Sequence, residues 1–326
     1  ALALAILIAY LPQRAANARR FDFAGFVLIA LALASFQLLL DRGQQLDWFA
    51  SREIWLYTVV CLSTAWMGIV HLATAANPLF DRALFADRNF VIALMFMIVI
   101  GIVMFAVMAL LPPMLQGLFG YGVIDTGIVL MPRGVGVLIS MQLSGLLMRR
   151  GWDARPVVAT GFLICAVSLW QMAHWSLDVD AMHVILSGLL QGLGMGLVFI
   201  PLQVSAFATL APRLRTDGSS LLNLLRSLGA SAGISLMSVL LARNLQIAHA
   251  DLGQHIDSGA LASADVSTID RYQMVGDVAL RLIDAEINRQ AAMIAYVDDF
   301  LAMLWITLAA APLTLLMRRS GGPSQS

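Results

Sequence analysis

Two arginines occupy positions where an ionisable side chain is hardest to keep. Arg133, in Met131-Pro-Arg-Gly134, and Arg226, in Asn223-Leu-Leu-Arg226-Ser-Leu-Gly229, each lie well inside an apolar run. The depth is about ten residues, or about 15 Å at the helical rise. A charge placed so must face a carboxylate, backbone carbonyls or a wet cavity. Two roles stay open for each: a pathway group that meets an anion or modulates a proton site, or one half of an ion pair that clamps helices. Asn223, Gln191 and Gln203 are the other polar side chains placed to line such a pathway.

Other chemistry is weaker. Gly229-Ala-Ser231-Ala-Gly233 has the spacing of a nucleophile elbow, but that motif needs a strand-to-helix turn. Here it lies in a helical apolar run, and His71 and His174 fall near run ends, where neither serves as a mid-membrane base. Gly192-Leu-Gly194-Met-Gly196 lacks the third glycine of a dinucleotide loop and has no βαβ unit around it. No His, Cys, Asp or Glu cluster has metal-ligand spacing, so neither an enzyme nor a cofactor is expected. Cys61 and Cys165 read as small buried hydrophobes. The carboxylates Asp22, Asp125, Asp217, Asp298 and Asp299 read as solvated groups at run edges. A proton-coupled machine needs an acid or similar relay within the membrane, so that group is expected in a preceding N-terminal portion.

The elements that must hold these residues follow from composition. Of 326 residues 60% are apolar and 12% charged, with a mean hydropathy of +0.83. A soluble domain carries about a quarter charged residues, so an ordinary globular enzyme is excluded. Eight segments are long enough to cross a bilayer: about 23–40, 54–76, 90–115, 124–148, 156–175, 182–210, 217–241 and 297–317. The runs are continuous rather than alternating, so they are helices and not barrel strands. Ala1–Leu11 has no basic region before it and no cleavage site after it. It reads as the end of a span whose beginning is missing. The expected fold is therefore an all-α, polytopic membrane helix bundle.

Gly188, Gly192 and Gly196, followed by Pro201, form a stripe at four-residue spacing, and Gly229 and Gly233 repeat it. Such stripes let helices approach closely, and glycine and proline also mark helices that bend during alternating access. Phe105, Trp170 and Phe199 either line a pocket or pack. Residues 242–296 form a long polar stretch, read as a loop. Its second part carries Val275, Ala279, Ile283, Ile287, Ala291 and Ile294 at spacings of three and four. That stripe suits a helix lying on its own bundle or docking a partner.

Arginine supplies all 20 cations, against 20 carboxylates. Net zero charge argues against a nucleic-acid partner. Sorted by connection, 12 arginines and 5 Asp fall on one side, a net of +7, and 6 arginines and 15 carboxylates on the other, a net of −9. Arg133 and Arg226 make up the balance. Positive loops stay inside, which predicts a cytoplasmic C-terminus and a long loop outside.

At Phe21-Asp22-Phe-Ala-Gly25 and Leu40-Asp-Arg-Gly-Gln-Gln-Leu-Asp47-Trp-Phe49 the sequence resembles the EmrB/QacA-type drug:proton antiporters of the major facilitator superfamily, the fourteen-span branch. Leu84-Phe-Ala-Asp-Arg-Asn89-Phe, Leu118-Phe-Gly120-Tyr, Met131-Pro-Arg-Gly134 and Leu190-Gln-Gly192-Leu-Gly194-Met-Gly196 continue the likeness. Gly218-Ser-Ser-Leu-Leu-Asn223-Leu-Leu-Arg226-Ser-Leu-Gly229 and Arg289-Gln-Ala-Ala-Met-Ile-Ala-Tyr296-Val-Asp298-Asp-Phe300 carry it almost to the end. The resemblance implies that residues 1–11 close the sixth span, that 12–76 hold two spans linking the halves, and that 77–326 are the C-terminal six-span bundle. The N-terminal half, with the family's proton-binding acid, would be missing. It further implies an inner-membrane multidrug efflux permease that exchanges lipophilic small molecules for protons, needs no cofactor, and feeds a periplasmic adaptor and an outer-membrane channel. The alternative is a non-transporting membrane scaffold or an inactive truncated fragment. One departure stands out: the family's Gly-x-Leu-x-Asp-Arg gate loop is replaced by Gly145-Leu-Leu147-Met-Arg149-Arg150-Gly-Trp-Asp153, which puts an Asp-dependent lock there in doubt.

Overall fold

The computed structural model describes residues 21–43, 45–254 and 273–317, and the side chains of 254, 273–280 and 282 are left aside. The remnant 1–11, Arg14, Arg19, Arg20, Arg271, Arg318 and Arg319 lie outside the described residues, as do the side chains of Val275 and Ala279. Among the described residues every element is helical. Eight helices are long and apolar enough to cross a membrane: α1 (Phe23–Gly43), α2 (Arg52–Thr74), α3 (Arg88–Gly117), α4 (Val123–Arg149), α5 (Ala154–Met172), α6 (Ala181–Ala208), α7 (Arg215–Gln254) and α8 (Gln273–Ala310). A 3-10 stretch, Ala311–Leu316, extends α8.

Side-chain caps set the starts. The Asp87, Asp153 and Asp180 carboxylates accept N–H bonds from Phe90, Arg155 and His183 at the first turns of α3, α5 and α6, satisfying donors that a helix start leaves open. Asp153, the one acid near the altered gate loop, is thus engaged in starting α5. Much of the stretch 242–296 is helix rather than loop. The 40 residues of α7 and 38 of α8 span about 60 Å each at 1.5 Å per residue, twice the hydrocarbon core. Their far segments stay paired through His249 Nε2 and the Asp284 carboxylate, 3.3 Å apart. In its described parts, 242–254 and 273–296, the polar composition is that of helix. Of the stripe proposed on it, Ile283 and Ile287 are half-buried, Ala291 is buried and Ile294 is exposed.

The core is built from α3, α5, α6, α7 and the second half of α8, with Phe90, Phe96, Met97, Leu111, Leu169 and Phe300 among its most enclosed side chains. α4 pairs with α6, α3 with α7, and α5 with α6, while α8 lies against α7, α5 and α3. α4 is built the other way round from a helix in water. Its one buried stripe is Thr126, Val129, Arg133, Gly136, Ser140 and Ser144, whereas Ile124, Ile128, Met131, Val135, Leu138 and Leu143 stand exposed. Lipid tails solvate apolar side chains, so the polar and small residues turn inward to find partners.

α1 and α2 form a hairpin with few buried residues. It touches the bundle along α7, where the Ser235 hydroxyl donates to the Leu40 carbonyl at 2.9 Å. Its other end is knotted by Asp22, which the sequence placed as a solvated edge residue. The Asp22 carboxylate accepts the N–H of Gly25 at 2.9 Å and of Leu79 at 3.0 Å, and faces His71 Nε2 at 2.9 Å. The Gly25 N–H, with smaller help from His71, holds this carboxyl below the ordinary aspartate pKa.

Candidate functional site

Both arginines come to one turn of α3. Arg133, on α4, donates from a guanidinium nitrogen to the Met104 carbonyl at 3.2 Å and is 9% exposed. Arg226, on α7, is half-buried and lays its guanidinium carbon 5.8 Å from the centre of the Phe105 ring. That is within cation–π range. Its one hydrogen bond is a long 3.4 Å contact to the Asn223 side-chain oxygen, and its Nε is buried without a partner. Neither arginine meets a carboxylate among the described residues, so of the two roles left open the ion-pair clamp is not made here. A backbone carbonyl and a ring face hold them instead.

Glycines fix where each arginine starts. A Cβ on Gly192 of α6 would fall on the Arg133 carbonyl oxygen, and one on Gly101 of α3 would fall on that of Arg226. At both positions the neighbouring backbone lies where a side chain would stand, so each arginine sits at a close approach of its helix to the next. Around Arg133 the crossing continues through Gly188, whose absent Cβ faces the Arg133 Cβ, through Gly136 against Gly192, and through Gly196 against the Ser140 hydroxyl. Ser140 and Ser144 donate across to the carbonyls of Gly192 at 3.2 Å and Gly196 at 3.0 Å. Around Arg226 it continues through Gly229 against Ile98 and Gly233 against Ile102.

The remaining predicted residues separate. Asn223 is exposed beside Arg226. Gln191 is fully buried between α6 and its neighbours, and neither its amide oxygen nor its nitrogen has a hydrogen-bond partner. Cys165 of α5 packs on the Gln191 carbonyl, its thiol sulfur 3.7 Å away. Gln203 is half-buried past the buried Pro201, away from both arginines in sequence. Of the aromatics, Phe105 carries Arg226, Phe199 packs on the core, and Trp170 points off α5 at 54% exposed.

Asp299, like Asp22, is not the solvated edge group that its position along the sequence suggested. Asp298 is exposed as expected, but Asp299 has no solvent exposure, and both its carboxylate oxygens lack a partner. Depth counted back from residue 317 put it at the edge of a span, yet the 3–4 spacing of Tyr296, Asp299, Met303 and Thr307 puts it on the buried face of α8.

A sequence profile described as the Major Facilitator Superfamily matches residues 1–234. The chain belongs to the major facilitator superfamily. It is 29% identical to the multidrug export protein EmrB of Escherichia coli K12 over 86% of this chain and 55% of that protein. It is 30% identical to the fatty acid resistance protein FarB of Neisseria gonorrhoeae over 92% and 60%, and 32% identical to EmrB of Haemophilus influenzae over 72% and 46%. This superfamily member spans about half the length of the curated relatives it matches. In fold it is similar to a bacterial homologue of the lysosomal transporter Spinster, solved inward-facing and occupied. The TM-score is 0.52 and the identity 16%, over 90% of this chain and 65% of the other.

Proposed function

We propose that this chain is the C-terminal part of an inner-membrane multidrug efflux permease, with two linking spans (α1 and α2) and a six-helix bundle (α3–α8). It works by drug:proton antiport through rocking against an N-terminal bundle. The observation that carries the reading is the pair of cationic side chains brought to Met104 and Phe105 within the helix bundle. A cation at membrane depth is costly and for that reason marks a functional site by default, and neither arginine is neutralised by a described acid. Lipophilic small molecules are the substrate class of this reading, and the relatives named as multidrug export proteins support it. Residues of a transport route do no bond chemistry, so the chain is not an enzyme.

The arginine-rich ends face the cytoplasm in this reading and the C-terminus lies there. The paired far segments of α7 and α8 then project outside, where a periplasmic adaptor leading to an outer-membrane channel would meet them. The full-length gene, expressed in a drug-sensitive strain, tests the proposal. Resistance to lipophilic drugs that an uncoupler abolishes is the expected result, with Arg226→Ala inserting normally and conferring less. A full-length protein that moves no drug overturns the function. Unchanged resistance of Arg226→Ala at equal expression removes the pathway role.

A further inference from the structure

Among the described residues Asp299 is the only fully buried carboxylate, and the only buried acid for which no donor is found. An isolated ionised carboxylate in such a place costs far more than the fold can supply, and the group neutralises instead. We propose that Asp299 is a proton-binding site of the C-terminal bundle: it is a neutral acid while enclosed and gives its proton to water when α8 shifts against α7. The O–H bond breaks, the electron pair stays on the carboxylate, and a water molecule takes the proton.

The surroundings favour this over a hidden ion pair. On α8 itself the close groups are the exposed Asp298 and the Tyr296 phenol, neither of them a cation. The ionisable residues of α3 and α5 other than Cys165 are Arg88 and Arg155, both in first turns at the arginine-rich end. Asp299 is at the other end, since its neighbour Phe300 packs edge-on against Trp175, just past the last turn of α5. On α7 the candidates are Arg215, Asp217, Arg226, Arg243, His249 and Asp251, and none makes a hydrogen bond to Asp299. His249 is turned to Asp284 and Arg226 to Phe105. The route for the proton is short. Asp298 lines an open cavity of ≈260 Å³ with Asn244, Asp251 and Ile294, room enough for several waters. One residue along α8 therefore separates the enclosed acid from solvent, and a local parting of α7 and α8 connects them.

Coupling of this proton to drug movement rests on the efflux reading; its presence does not. Infrared difference spectroscopy of the purified full-length protein, without drug, is the test. The wild type is expected to show a protonated carboxyl band at neutral pH that disappears as the pH is raised. Asp299→Asn should lack one titrating carboxyl per chain, Asp298→Asn should retain it, and Asp299→Glu should shift the band without abolishing it. An Asp299→Asn spectrum that matches the wild type at every pH overturns the proposal, and so does a band that never titrates. If Asp299→Asn fails to fold, the Glu variant decides: an unshifted band overturns the assignment. A titrating Asp299 in a protein that moves no drug defeats the efflux reading and leaves the proton site standing.

Discussion

The α4–α6 and α3–α7 pairs solve the same problem with different chemistry. Each brings two backbones into contact through glycine, Gly136, Gly192 and Gly196 in one, Gly101, Gly229 and Gly233 in the other. Each also places an arginine carbonyl at one of its tightest contacts. α3 is apolar and has buried residues along most of its length, and its crossing at Gly101, Gly229 and Gly233 sets glycine directly against backbone. α4 is enclosed on one stripe only and adds two serine hydroxyls that donate to carbonyls of α6. The contrast teaches what each device supplies. Glycine gives proximity, and hydroxyls give register where one helix has too little buried surface to hold its own.

The largest effect should come from breaking proximity. Gly192→Val and Gly229→Val each drive a branched side chain into a neighbouring backbone, at a cost of about 2 kcal/mol or more. Both should lower the yield of folded protein in detergent, read by thermal unfolding. Gly192→Val should be the worse, because α4 has little else to anchor it. Arg133→Ala comes next. It removes the tie from α4 to Met104, and loss of transport without loss of membrane insertion is expected; Arg133→Lys should recover part, having a donor but a shorter reach. Phe105→Ala should act only on Arg226, so that Phe105→Ala and Arg226→Ala together lower resistance no further than Arg226→Ala alone.

Smaller still is the hairpin knot. Because the folded-state pKa of Asp22 is depressed, its contribution is present above the ordinary aspartate value and is lost as pH falls through the lower folded value. Proteolysis between α2 and α3 should thus be slow at neutral pH and quicken under acid, while Asp22→Asn should be cut quickly at both. Ser144→Ala is the mildest change, about 0.6 kcal/mol for one interhelical hydrogen bond. A shift larger than that from Gly101→Ala and smaller from Ser144→Ala would support the division between proximity and register; equal shifts would erase it.

Much of this was legible beforehand, and the rest was not for physical reasons. Continuous apolar runs longer than a bilayer is thick admit one structure, so the eight spanning helices could be read directly. The small residues of α6 and α7 announced close packing, and Arg133 and Arg226 announced themselves by depth. Their partners carried no signature, since a Met104 carbonyl belongs to any residue and Phe105 is one apolar side chain among many. Asp299 was missed because depth along a helix and burial around it are separate coordinates, and only the first was counted. The far ends of α7 and α8 were read as loop because a projecting helix wetted on most sides has a loop's composition.

The inverted character of α4 has a consequence for how the chain is made. Synthesis delivers α3 before α4, and α4 well before α6, whose glycines begin only at Gly188. When α4 first meets the translocon, an arginine at its centre opposes insertion by about 2.5 kcal/mol or more. Of the contacts that later surround Arg133, only the Met104 carbonyl has then emerged. A bond that looks like one detail of the finished bundle is thus also the one named contact available to Arg133 while α6 is still to come.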